Sequence, residues 1–214
     1  MTIHHHLDDT TILAYAAGTL GEALSVAAAC HISMCPACLG AVRQAEALGG
    51  EFLDELKGAT VSDACRAATL AGLDGRTVER PAKTKSEMPP PLQRLLGNQH
   101  FAQLRWRKKA PGVAVFELPL SRAAKGSLKL VSIAPGMSML EHGHGGEELT
   151  LVLKGAFKDK VGRFARGDIA DLDQDTEHCP VIEAGETCIC LFATEAPTRY
   201  KTFIGRLLQP FLGI

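Results

Sequence analysis

The sequence predicts a multidomain protein: a small all-α metal-binding unit, then an all-β sandwich or barrel. Three observations predict it. Apolar residues recur at helical spacing as far as Leu73. The stretch Lys83-Thr-Lys-Ser-Glu-Met-Pro89-Pro-Pro91 is polar, then proline-rich, and reads as a linker. Beyond it come short β-prone runs punctuated by glycine and proline, the cadence of an antiparallel sheet. The expected division is residues 1–80 for the helical domain, 81–91 for the linker and 92–214 for the β domain.

The helices follow from local chemistry. Asp8-Asp9-Thr10 is a helix start, because a carboxylate there accepts from free backbone amides and opposes the positive helix end. The first helix runs through Ile12-Leu13-Ala14-Tyr15 to Gly18, and the second covers Leu20 to about Ile32. Pro36 suits a first helical turn and not a middle one, so the chain breaks near Ser33 and restarts at Cys35 or Pro36. The third helix continues through Val42, Ala45 and Leu48 toward Leu56, with Gly49-Gly50 marking a kink or an end. Val61 to Leu73 carries a fourth helical pattern.

Strands are expected at Leu104–Arg107, Val113–Leu118, Leu128–Ile133, Leu149–Leu153, Gly155–Lys158 and Thr187–Phe192.

Composition narrows the function classes. An apolar fraction of 46% supports a packed core, and 22% charged residues is ordinary for a globular protein. No apolar run approaches the ~20 residues of a membrane helix, and no secretory signal opens the chain, so the cytoplasm is the expected compartment. Seven cysteines without such a signal favour metal ligation or burial over a disulfide framework. Residues 1–80 hold ten acidic and five basic side chains, net −5, whereas the remainder carries a net +4. An acidic helical unit without a basic reading helix argues against DNA binding and suits a basic protein partner.

Two segments carry chemistry. His31-Ile-Ser-Met-Cys35-Pro-Ala-Cys38 places one imidazole and two thiols within eight residues. Zinc takes four nitrogen and sulfur ligands in a tetrahedron, so a fourth must come from elsewhere, and His4-His5-His6 is the nearest supply. Unpaired amides at the start of the third helix favour the thiolates such an ion requires.

In the second segment, His142 and His144 share one face of a strand, Gly145-Gly146 lets the chain bend, and Glu148 returns to that face. Leu149, Leu151 and Leu153 then face away from Glu148, Thr150 and Val152. Two imidazoles and a carboxylate, with His178 from a later strand, make a transition-metal site. Cys188 and Cys190 share a strand face, which suits core packing better than a redox pair, and Cys30, Cys65 and Cys179 read as apolar fillers.

The second segment resembles the first motif of the cupin superfamily: Gly136, five residues, His142, one, His144, three, Glu148, six, Gly155. The second cupin motif is matched by Gly167-Asp168 and His178, but its proline is missing and Ile182 stands where asparagine is common. The resemblance implies a double-stranded β-helix, or jelly-roll, barrel. His-x3-Cys-x2-Cys after an upstream histidine is similar to zinc-binding anti-sigma domains. The two together resemble ChrR-type anti-sigma factors over nearly the whole chain.

That resemblance implies a structural zinc on His6, His31, Cys35 and Cys38, with His4 and His5 secondary. It implies zinc or another divalent metal on His142, His144, Glu148 and His178. It further implies a heterodimer with an extracytoplasmic-function sigma factor, released by oxidative, singlet-oxygen-like stress, with the cupin as sensor for a small-molecule or oxidant ligand. No enzymatic activity is expected. The alternative is a dioxygenase-like cupin metalloenzyme with an accessory zinc domain.

Overall fold

The computed structural model describes residues 2–73, 87–97, 99–139, 146–172 and 179–195. Among these, the helices are α1 (Asp9–Ala16), α2 (Glu22–Ile32), α3 (Pro36–Asp54), α4 (Asp63–Ala71) and α5 (Pro90–Leu95). The strands are β1 (Arg107–Ala110), β2 (Val113–Glu117), β3 (Ser127–Ile133), β4 (Glu148–Lys154), β5 (Ala156–Lys158), β6 (Arg163–Ala165), β7 (Ile169–Leu172), β8 (Val181–Ile182) and β9 (Cys188–Thr194). No helix among the described residues is long and apolar enough to cross a membrane.

Caps set the helix starts. The Asp8 carboxylate accepts the Thr11 N–H at 2.6 Å and opens α1. Cys35 is the N-cap of α3, with Pro36 in its first turn, as the sequence predicts. Ser62 caps α4 through the Cys65 N–H at 3.2 Å. The glycine pair does not end α3, which runs through it to Asp54. Each glycine costs about 1 kcal/mol in a helix interior, too little to interrupt a helix already propagating for three turns. Pro90 opens α5, so the last part of the proline-rich stretch is helical, and Leu92 is fully buried.

Two antiparallel sheets form the barrel. The larger has the order β1-β2-β3-β9-β4-β7 and the smaller β6-β5-β8. β6, β7 and β8 were not legible in the sequence, because runs of two to four residues are too short for alternation to declare itself. Gly155 joins β4 to β5 at φ 71, and a Cβ there would lie 2.9 Å from the Thr187 carbonyl oxygen, so that position of the motif admits only glycine.

Both faces of the large sheet are covered. One face contributes Val115, Val131, Ile133, Val152, Cys188, Cys190 and Phe192 to the barrel interior, where Phe157, Phe164 and Ile182 of the small sheet meet them. The opposite face contributes Leu128, Leu130, Leu149, Leu151, Leu153, Ile189 and Leu191 to a second core shared with the helices. α2 supplies the helical side of that core, burying Ala23, Leu24, Ala27, Ala28, Cys30 and Ile32. Ala27 and Ala28 are fully buried, and their small side chains let the helix lie close to β9 and β4. The helical unit and the barrel therefore share one continuous apolar layer.

Candidate metal centre

A cluster that could hold a metal ion forms where three chain segments converge. The segment before α1 brings His6, the last turn of α2 brings His31, and the start of α3 brings Cys35 and Cys38. One donor atom from each lies within 4.8 Å of all the others. His6 Nδ1 is 3.3 Å from Cys35 Sγ and 3.6 Å from Cys38 Sγ. His31 Nε2 is 3.2 Å from Cys38 Sγ. A tetrahedron with arms of about 2.0–2.3 Å has edges of roughly 3.3–3.8 Å, so the spacing suits one ion at the centre. His31, Cys35 and Cys38 are buried, whereas His6 is exposed and closes the site from outside.

The surroundings prepare the donors. His31 Nδ1–H donates to the Gly167 carbonyl at 2.9 Å, which fixes the tautomer and leaves the Nε2 lone pair facing the cluster. Burial pushes the His31 pKa down to about 4, so the ring is neutral at physiological pH, the form that ligates. Burial pushes the Cys38 thiol up to about 11 in the metal-free chain, so an ion must displace its proton on binding. The Cys38 N–H meets Cys35 Sγ at 3.5 Å, and that amide would help hold a thiolate there.

The His5 ring is committed elsewhere, and the His4 backbone is tied to the barrel. His5 stacks on Phe164 with ring centroids 3.9 Å apart, and its Nε2 donates to the Arg163 carbonyl at 3.0 Å. His4 contributes its backbone N–H to Asp168 at 2.6 Å. The sequence marked Gly167-Asp168 only as a motif glycine and its neighbour. The contact of both residues with the N-terminal cluster spans more than 130 positions, and no local pattern announces it.

In the barrel, Glu148 opens β4 with 2% of its surface exposed and accepts from Thr150 Oγ1–H at 3.1 Å. It has the same parity on β4 as Val152, which lines the barrel interior, while Leu149, Leu151 and Leu153 take the opposite face. The alternation matches that expected from the sequence. His142, His144 and His178 lie outside the described residues. Cys188 and Cys190 face the interior with their sulfurs 3.6 Å apart, and the neighbouring Cys188 thiol and burial raise the Cys190 pKa. Cys30 is buried as expected, but Cys65 and Cys179 are exposed and are not core fillers.

A His2Cys2 cluster in a helical unit, seated on a two-sheet barrel, defines a two-part protein with a helical module that could hold a metal and a cupin-like domain. Residues 98–197 match a family described as the ChrR cupin-like domain. The chain is 42% identical to the anti-sigma-E factor ChrR of Cereibacter sphaeroides, over 100% of both chains. It belongs to the ChrR family of anti-sigma factors. The crystal structure of Rhodobacter sphaeroides SigE in complex with the anti-sigma ChrR aligns with a TM-score of 0.79 at 40% identity, covering 90% of this chain and 100% of that one.

Proposed function

We propose that this protein is a cytoplasmic anti-sigma factor whose zinc-ordered helical unit sequesters an extracytoplasmic-function sigma factor. Zinc sits on His6, His31, Cys35 and Cys38 and joins the segment before α1 to the α2–α3 junction, fixing the direction in which α3 leaves. The observation that carries the reading is α4. This nine-residue helix buries none of its residues among those described, yet carries Leu70 at 53% exposure. A helix that short is marginal alone in water and gains its stability from a partner. Leu48 and Phe52, at i and i+4 on α3, add exposed apolar side chains, with Leu53 on the same helix and Leu56 and Val61 in the segment between α3 and α4. The full-length kinship with ChrR, crystallised with SigE, supports a sigma factor as that partner.

The barrel is the sensor in this reading, with a second metal on His142, His144, Glu148 and His178. An oxidative, singlet-oxygen-like signal there favours the free state over the complex. Residues 81–91 divide the two functions. The test is co-expression with an extracytoplasmic-function sigma factor of the same organism. The wild-type chain co-purifies with it at one to one, and Cys35→Ser with Cys38→Ser loses the partner. Retention of the sigma factor by that double variant at wild-type levels would remove zinc from the account.

A further inference from the structure

We propose that Asp168, with the adjacent Gly167 carbonyl, is a positioning device in the barrel that preorganises the zinc site before any ion arrives. The inference deepens the zinc reading above and rests on it. Two of the four ligands are held by this one turn between β6 and β7. The Asp168 side chain is 1% exposed and accepts three backbone N–H groups. Oδ1 takes His4 at 2.6 Å and His5 at 3.1 Å, and Oδ2 takes Ala165 at 2.8 Å. The first two bonds pin the residues immediately before the ligand His6. The preceding residue, Gly167, holds the second ligand through His31 Nδ1 at 2.9 Å.

The strap is fastened again by His5, whose ring stacks on Phe164 and lies so close to Gly162 that a Cβ there would be 3.2 Å from it. Without these contacts His6 would sit on a segment that no helix or strand holds. Ordering it in advance removes a conformational cost from metal binding, which shows in affinity and release rate.

The turn is also tied to the barrel. Gly167 N–H donates to the Val152 carbonyl at 2.8 Å, and Val152 N–H to the Asp168 carbonyl at 3.0 Å. Val152 lies on β4, the strand that Glu148 opens. A shift of β4 reaches two zinc ligands through a handful of hydrogen bonds, and zinc loss reaches β4 by the same route.

Zinc release from the full-length protein to a chromogenic chelator, with zinc content measured beforehand, tests this. D168A is expected to release zinc at least tenfold faster than wild type. D168N, which keeps one acceptor oxygen, is expected to fall between them. E22Q loosens a different contact between helices and barrel, the Glu22 carboxylate accepting from the Ser121 N–H and hydroxyl, and is expected to release at the wild-type rate. Equal acceleration in E22Q and D168A would mean general loosening and overturn the proposal, as would wild-type release by both Asp168 variants. A wild-type chain that binds no zinc at the four-ligand cluster overturns the zinc reading itself.

Amide exchange in the zinc-free wild type tests the same point without a substitution. The His4 and His5 amides are expected to exchange at least tenfold slower than in a free peptide. Free-peptide rates there would show that zinc, not Asp168, orders the strap, and would overturn the proposal.

Discussion

His31 has the most constrained surroundings of the four donors, and its titration has a definite sign. Burial holds its pKa at about 4 against 6.5 for a free imidazole, so the unfolded chain takes up the proton first. In the metal-free protein, the stability tied to this ring is complete above pH 6.5 and is lost as pH falls from 6.5 to 4. Urea melts across that window should show the loss, and His31→Gln should flatten it; an unchanged slope in the variant would place the effect on another group. Residue identity at the cluster was legible because His-x3-Cys-x2-Cys is dense and rare. The choice among His4, His5 and His6 was carried only by family resemblance. The physical reason for it is a stack on Phe164 and two bonds to Asp168, contacts across more than 150 residues that no spacing encodes.

At the scale of elements, α2 and β4 each serve two neighbours. α2 ends in a metal-site residue while its apolar residues lie on the large sheet; β4 presents Leu149, Leu151 and Leu153 to the helices and Glu148 and Val152 to the barrel. Leu24→Ala removes a side chain that is 1% exposed and is expected to cost about 2–5 kcal/mol. Because the core is shared, one cooperative transition monitored from both helix and barrel should shift as a unit; separate midpoints would mean the two parts melt independently.

Element types were readable from period, and most strands fell within a residue or two of expectation. The covering of β4 was readable in principle, since Glu-Leu-Thr-Leu-Val-Leu carries apolar side chains on both faces, the mark of a strand buried on both sides. The proline-rich stretch obscured it by suggesting separation where α5 instead docks. On α3, Phe52→Glu is expected to leave zinc content and melting temperature intact, because the side chain is 62% exposed. It should weaken the sigma complex by roughly 2 kcal/mol or more, about thirtyfold, measured by titration calorimetry. Wild-type affinity in that variant would move the binding surface off α3.

Across the whole molecule, the four-donor cluster beside α3 is joined to the barrel through a common apolar layer and the Gly167–Asp168 turn. The helical unit is acidic and suits a basic partner face, so association should slow as salt rises, and stopped-flow rates at two ionic strengths would register it. The charge imbalance was evident in the sequence; the seating of helices on the sheet was not, because a surface shared between distant segments leaves no local period. The most direct measurement of the central claim is the affinity of the purified sigma factor for a chain in which His142 and His144 are alanine, compared with and without one equivalent of zinc. Binding at least a hundredfold tighter with zinc is expected. Equal affinity in the two states would contradict a zinc-shaped binding surface.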